Sequence, residues 1–118
     1  SLPPAAPAPA PVADPAAEAL AALDARLQAL GFTTLPHPGR HGIDLAAERA
    51  GGFPGRVIAF TPPALDAATA DRVLAVARTV GADQALIVCA QADPEARRRL
   101  IATKAKWLTA TEIPLLSL

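Results

Sequence analysis

The chain has 118 residues with eleven basic and eleven acidic side chains, so no overall charge draws it to nucleic acid or to an anionic membrane. Cys89 is the lone cysteine, which rules out an internal disulfide and a thiolate metal cluster and suits a reducing cytoplasm. No apolar run approaches the roughly 20 residues that span a bilayer, and no charged segment leads into an apolar core at the start, so no membrane contact is expected from this stretch.

Residues 1–15 hold Pro3, Pro4, Pro7, Pro9, Pro11 and Pro15 among alanines, with Leu2 and Val12 as the only larger apolar groups. Prolines lack the backbone donor and little here can be buried, so an extended, semi-rigid linker is expected. A spacer at the front of a sequence suggests that residues 16–118 form the C-terminal domain of a larger protein. That leaves about 100 residues, enough for one self-sufficient core.

The helical stripe Leu20, Leu23, Leu27, Leu30 follows, with Asp14-Pro15 as cap and first turn and Gly31 as stop. A short strand from Phe32 to Leu35 closes at Pro36, and residues 37–42 carry turn chemistry. Ile43 to Arg49 reads as a second strand, Gly51 to Gly55 as a hairpin connection, and Arg56 to Thr61 as a third strand. Val57-Ile58-Ala59-Phe60 is apolar throughout, as in a strand covered on both faces. A second helix is predicted from Asp66 to Val80 with Gly81 as its stop, and an apolar strand from Ala85 to Cys89. A third helix is predicted from Asp93-Pro94 to Lys106, then a strand at Trp107 to Thr109 and a final turn or helix from Ile113 to Leu118. The order αβββαβαβ implies an α/β fold, a mixed central sheet with helices on both faces.

Four stretches in this order resemble the Mrr-type restriction endonuclease domain of the PD-(D/E)xK nuclease superfamily. They are Leu30-Gly31-Phe32 at the end of the first helix, Gly42-Ile43-Asp44-Leu45 with Ala46-Ala47-Glu48, the strand Ala85 to Cys89 before a helix opening at Asp93 to Ala96, and the tail from Trp107 to Leu118. The resemblance runs from about Glu18 to Leu118 and implies a restriction-endonuclease-like core. In active members an Asp and a Glu or Gln hold a divalent cation at the scissile phosphate, and a lysine two residues further on supports the attacking water. Aligned on the hairpin, Asp44 matches the first ligand, Ile58 falls at the second, and Phe60 at the lysine. Isoleucine cannot ligate a hard cation and phenylalanine carries neither charge nor proton. The resemblance therefore implies a catalytically degenerate nuclease fold, with Asp44 a remnant and no cofactor. Mg²⁺ would enter only with a rearranged active site.

The other candidate residues have plain alternatives. His37 and His41 flank a Pro/Gly turn and read better as exposed loop residues than as metal ligands with Asp44. Glu48 lies about 13 Å along a strand from Asp44, too far to share an ion. Glu18 matches an acidic residue of the family's first helix but lies opposite the leucine stripe. Arg97, Arg98, Arg99, Lys104 and Lys106 form the one basic concentration, spread around a helix like a solvated face. Together with Arg40 and His41 they are the DNA-contact candidates. The functional expectation is an inactive nuclease-fold domain that binds DNA or assembles a DNA-processing or defence protein, alongside the other domains of its parent. A protein-interaction or homodimerisation module without DNA affinity is the alternative, favoured by the neutral charge and the apolar tail Ile113-Pro114-Leu115-Leu116. A metal-dependent endonuclease with a migrated site is the third.

Overall fold

A computed structural model describes residues 14–118. The Pro/Ala linker expected over residues 1–15 lies outside these except for its end, where Asp14 accepts a hydrogen bond from the Ala16 amide and Pro15 opens the first helix. That helix, α1, spans Pro15–Ala29 and buries Ala19, Leu20, Leu23 and Leu27. The strands are β1 Thr33–Pro36, β2 Leu45–Glu48, β3 Arg56–Phe60, β4 Gln84–Val88 and β5 Ala105–Leu108. Helix α2, Ala67–Val80, joins β3 to β4; α3, Pro94–Leu100, joins β4 to β5; a 3₁₀ helix, Ala110–Leu115, follows.

The strands lie in chain order in one mixed sheet. β1, β2 and β3 form an antiparallel meander, and β4 and β5 continue parallel to β3. This is the α/β architecture, a mixed sheet with helices on both faces, that the element order implies.

Each face of the sheet is covered by its own apolar layer. On one side α1 and the 3₁₀ helix press Leu20, Leu23, Leu27 and Ile113 onto Leu45, Ala47, Val57, Ala59 and Leu86. On the other, α2 and α3 set Val73, Ala77, Ala96 and Leu100 against Ile58, Phe60, Ala85 and Ile87. Helix α2 is fixed at both ends: Asp66 accepts from the Thr69 amide at 2.7 Å, and Gly81 takes the left-handed conformation, φ 68°, that ends the helix.

The third helix is shorter than the sequence pattern predicts. Ile101 turns extended, Ala102 adopts φ 60°, and the Thr103 hydroxyl donates to the Leu100 carbonyl at 2.7 Å, capping the helix there. Pairing with β4 then wins over helix propensity, so Lys104 sits in a turn and Lys106 on β5. The second strand is shorter too. Asp44 occupies a bend before it, and Glu48 at its end pairs across the ladder with Arg56 at 3.3 Å, an exposed surface contact.

Candidate functional site

Asp44 is half-buried where β2 begins and β3 ends. Its Oδ2 accepts from the Thr61 amide at 2.7 Å and from the Thr61 hydroxyl at 3.0 Å. Its backbone N–H donates to Ala59 at 3.0 Å, and its carbonyl accepts from His37 at 2.8 Å. The carboxylate borders a cleft of about 450 Å³ between α1 and the sheet, lined also by Asp14, Leu20, Asp24, His37 and Thr61.

The geometry sets the third strand's candidates apart from Asp44. Ile58 and Phe60 point into the α2/α3 layer, away from Asp44. The residues on Asp44's side are Ala59, packed in the α1 layer, and Thr61, hydrogen-bonded to the carboxylate itself. Side chains of a strand alternate with period two, so a slip of one residue moves every assignment to the opposite face. The positions facing Asp44 are thus an alanine and a threonine. Neither is a carboxylate, an amide or a lysine.

This donor set does not fit a divalent cation. Ala59 offers no ligand, and Thr61 directs two donors at Oδ2 of the one carboxylate on this side of the strand. The neighbouring carboxylates are committed as well: Asp14 caps α1, and Asp24 accepts from Gln28 Nε2 at 2.8 Å and from the Thr34 hydroxyl. Among the described residues, no three His, Cys, Asp or Glu side chains are placed to hold a metal ion together. Glu18 is exposed and does not line the cleft.

The basic candidates divide into groups with different surroundings. Arg40 and His41 lie in the loop beside the cleft, where His37 and His41 take left-handed φ values of 50° and 56°. Arg97, Arg98 and Arg99 stand on α3, on the opposite layer from Asp44. Arg98 pairs with Glu95 at 2.7 Å; Arg99 pairs with Asp71 at 2.7 Å and Glu95 at 3.4 Å. Arg97 lies 5.4 Å from the Trp107 ring centre, a cation–π contact. Lys104 donates to the Ala82 carbonyl at 3.1 Å, at the end of β4 remote from the cleft. Lys106 is exposed on β5, where its charge helps to hold the Glu112 carboxyl low, after the larger effect of hydrogen bonds from Thr109. No lysine or arginine appears among the cleft's described lining residues.

Arg49 is a residue that sequence reasoning passes over. Its Nη1 donates to Leu30 and Leu118 carbonyls at 3.1 Å each, its Nη2 to Pro54 at 3.3 Å, and its guanidinium lies 4.3 Å from the Phe32 ring centre. Its buried Nε has no partner. Arg49 thereby ties the end of α1, the β2–β3 hairpin and the tail together at the end of the sheet away from Asp44. Asp24 had a usable signal: it follows Leu20 by four residues, so it lies next to the buried stripe.

The fold also emerges from comparison with known proteins. The crystal structure of a repair endonuclease from Pyrococcus abyssi superposes with a TM-score of 0.55 at 17% sequence identity, covering 79% of this chain and 46% of that one. The likeness defines a nuclease-like fold, and this chain spans less than half of that neighbour's length. No protein-family model and no curated protein matches the sequence. Among the described residues, no helix is long and apolar enough to cross a membrane.

Proposed function

We propose that residues 16–118 are a degenerate Mrr-type nuclease domain that has given up phosphodiester cleavage and serves as an assembly module of a DNA-processing protein. The observation that carries this reading is the pair facing Asp44. Thr61 hydrogen-bonds the one surviving ligand, and Ala59 leaves the second ligand position empty of chemistry. The cleft supports assembly over DNA contact. Three carboxylates border it, so without a bound cation it repels phosphate. The likeness of the fold to a repair endonuclease supports the DNA-processing setting. Incubating the protein with supercoiled plasmid and Mg²⁺ or Mn²⁺ tests the loss of cleavage. The plasmid is expected to stay intact, and nicking that vanishes in Asp44→Ala would overturn the proposal.

A second reading, DNA contact through α3, is favoured by the exposure of Arg97, Arg98 and Arg99. Glu95 and Asp71 offset the charges of Arg98 and Arg99, which leaves Arg97, over the neutral Trp107 ring, as the net charge of the three, so binding by this face is weak and lost with salt. Fluorescence anisotropy with duplex DNA at low salt separates the two. The assembly reading expects no binding at tens of micromolar protein; binding that Arg97→Ala abolishes would establish the second.

A further inference from the structure

The sheet has two edges, β1 and β5, and they are finished differently. On β5 the backbones of Ala105, Trp107 and Thr109 point away from β4, as the bonds of the Ala85 and Cys89 amides to the Lys104 and Leu108 carbonyls require. Two of those outward amides are already taken: Ala105 donates to Thr103 Oγ1 at 3.2 Å and Thr109 to Glu112 Oε1 at 2.9 Å. β1 has no such cover. The bond from the His37 amide to Asp44 sets the ladder so that Thr34 and Pro36 turn their backbones outward. Among the described residues, the Thr34 amide and carbonyl have no partner there. Leu35, between them, lies on the α2 side of the sheet opposite the half-buried Ala46 and is 58% exposed. Of the large apolar side chains described as exposed, it alone stands on a strand.

We propose that a second copy of the chain pairs with this edge, β1 against β1, antiparallel about a twofold axis at Thr34. The inference rests on the assembly reading above and names its partner. Reciprocity gives the first reason. Each Thr34 amide meets the Thr34 carbonyl of the second copy, and a twofold pair needs one donor and one acceptor on the same residue at its axis. The flanks ask for no more donors, because Pro36 has none and the Phe32 amide is held by the Leu27 carbonyl at 3.0 Å. Continuity gives the second: β1, β2 and β3 already run antiparallel, so the new pairing extends the same meander across both molecules. Chemistry gives the third. Thr33-Thr34-Leu35-Pro36 carries no charge, and Leu35 falls opposite Thr33 of the second copy and diagonally, about 7–8 Å away, from its Leu35. The apolar tail is not available for this role, since Ile113 and Leu116 are buried within the molecule. One feature opposes the pair. Asp24 holds the Thr34 hydroxyl, so the two Asp24 carboxylates lie on the same face, one on each side of the axis, and salt screens their repulsion.

Sedimentation equilibrium on the full chain, from about 20 μM to about 1 mM, tests this. A monomer–dimer equilibrium is expected, with the weak affinity of a small contact, and Leu35→Lys should weaken it at least about tenfold. Leu35 is exposed, so the variant keeps its fold, which a circular dichroism melt checks. Amide exchange followed by nuclear magnetic resonance gives a second readout on the unaltered chain. The Thr34 amide should exchange about tenfold more slowly at the higher concentration, while the Trp107 amide on the other edge stays unchanged. Pairing should also tighten with added salt, the reverse of a contact made by ion pairs or to DNA. A monomer at the highest concentration, or a dimer that Leu35→Lys leaves intact, would overturn the proposal. So would Thr34 exchange that ignores concentration, or a dimer that salt dissociates. None of these results touches the assembly reading, which stands or falls with the plasmid assay.

Discussion

The two sides of β3 handle adjacent residues in opposite ways. Toward α2 and α3 it presents Ile58 and Phe60, which fill volume in a dry layer. Toward α1 it presents Ala59, which makes room, and then Thr61, which meets Asp44 with two hydrogen bonds. The contrast teaches that one strand can carry filler on one face and the groups that surround Asp44 on the other. Ile58 and Phe60 serve the layer opposite the cleft.

Substitutions on the two sides should therefore differ sharply. The largest effect is expected for Phe60→Lys, which buries an ammonium among Val73, Leu65 and Ile87 and unfolds the protein, whereas Thr61→Lys places the same charge beside Asp44 and leaves it folded. Circular dichroism melts of the pair decide the matter, and equal losses would reverse the face assignment. Phe60→Ala should cost about 3–5 kcal/mol in urea unfolding through the cavity it leaves. Next comes Arg49→Met on the α1 side. It strands three carbonyls and removes the contact with Phe32, and is expected to cost about 2–3 kcal/mol in the same measurement. Asp44→Ala, which leaves the Thr61 donors without their acceptor, should cost about 1–2 kcal/mol. A null effect there would show that the carboxylate is not part of the framework.

The smallest effect is acid sensitivity, and it should not distinguish the faces. Hydrogen bonds from Thr69 hold the Asp66 carboxyl low, hydrogen bonds and charge from Arg98 do the same for Glu95, and hydrogen bonds from Thr109 for Glu112. A carboxylate with a lowered folded-state pKa contributes stability above its unfolded value and loses it as pH falls through the folded one. Urea midpoints should hold steady from neutrality to about pH 5 and decline below about pH 4.5, where unfolded Asp and Glu begin to take up protons.

Most of the architecture was legible because it is written in period and punctuation. The leucine stripe of α1, the Asp66 and Gly81 ends of α2 and the turn-rich residues 37–42 each map to what the structure shows. The site was less legible for a reason within β3. Val57-Ile58-Ala59-Phe60 is apolar on both faces, so no polar alternation marks which side a residue takes. The two hydrogen bonds from Thr61 to Asp44, seventeen residues apart, and the bond from the Asp44 amide to Ala59 fix the register of the site. The early end of α3 was hidden too, because Lys104-Ala105-Lys106 suits a helix locally and becomes strand only by pairing with β4.

The Asp44–Thr61 contact also bears on how the chain assembles. At the turn, the Arg49 amide donates to Gly55 at 2.8 Å, and at the open end Thr61 closes on Asp44. The β2–β3 hairpin is thus fastened at both ends by contacts that need only a short loop to close. β3 must wait for the whole of α2 before Val57 finds Gln84 on β4. Local pairings form ahead of such crossovers, which makes the hairpin the natural first piece of the sheet. A carboxylate at the edge of a cleft is also a fastener that helps to set the order of folding.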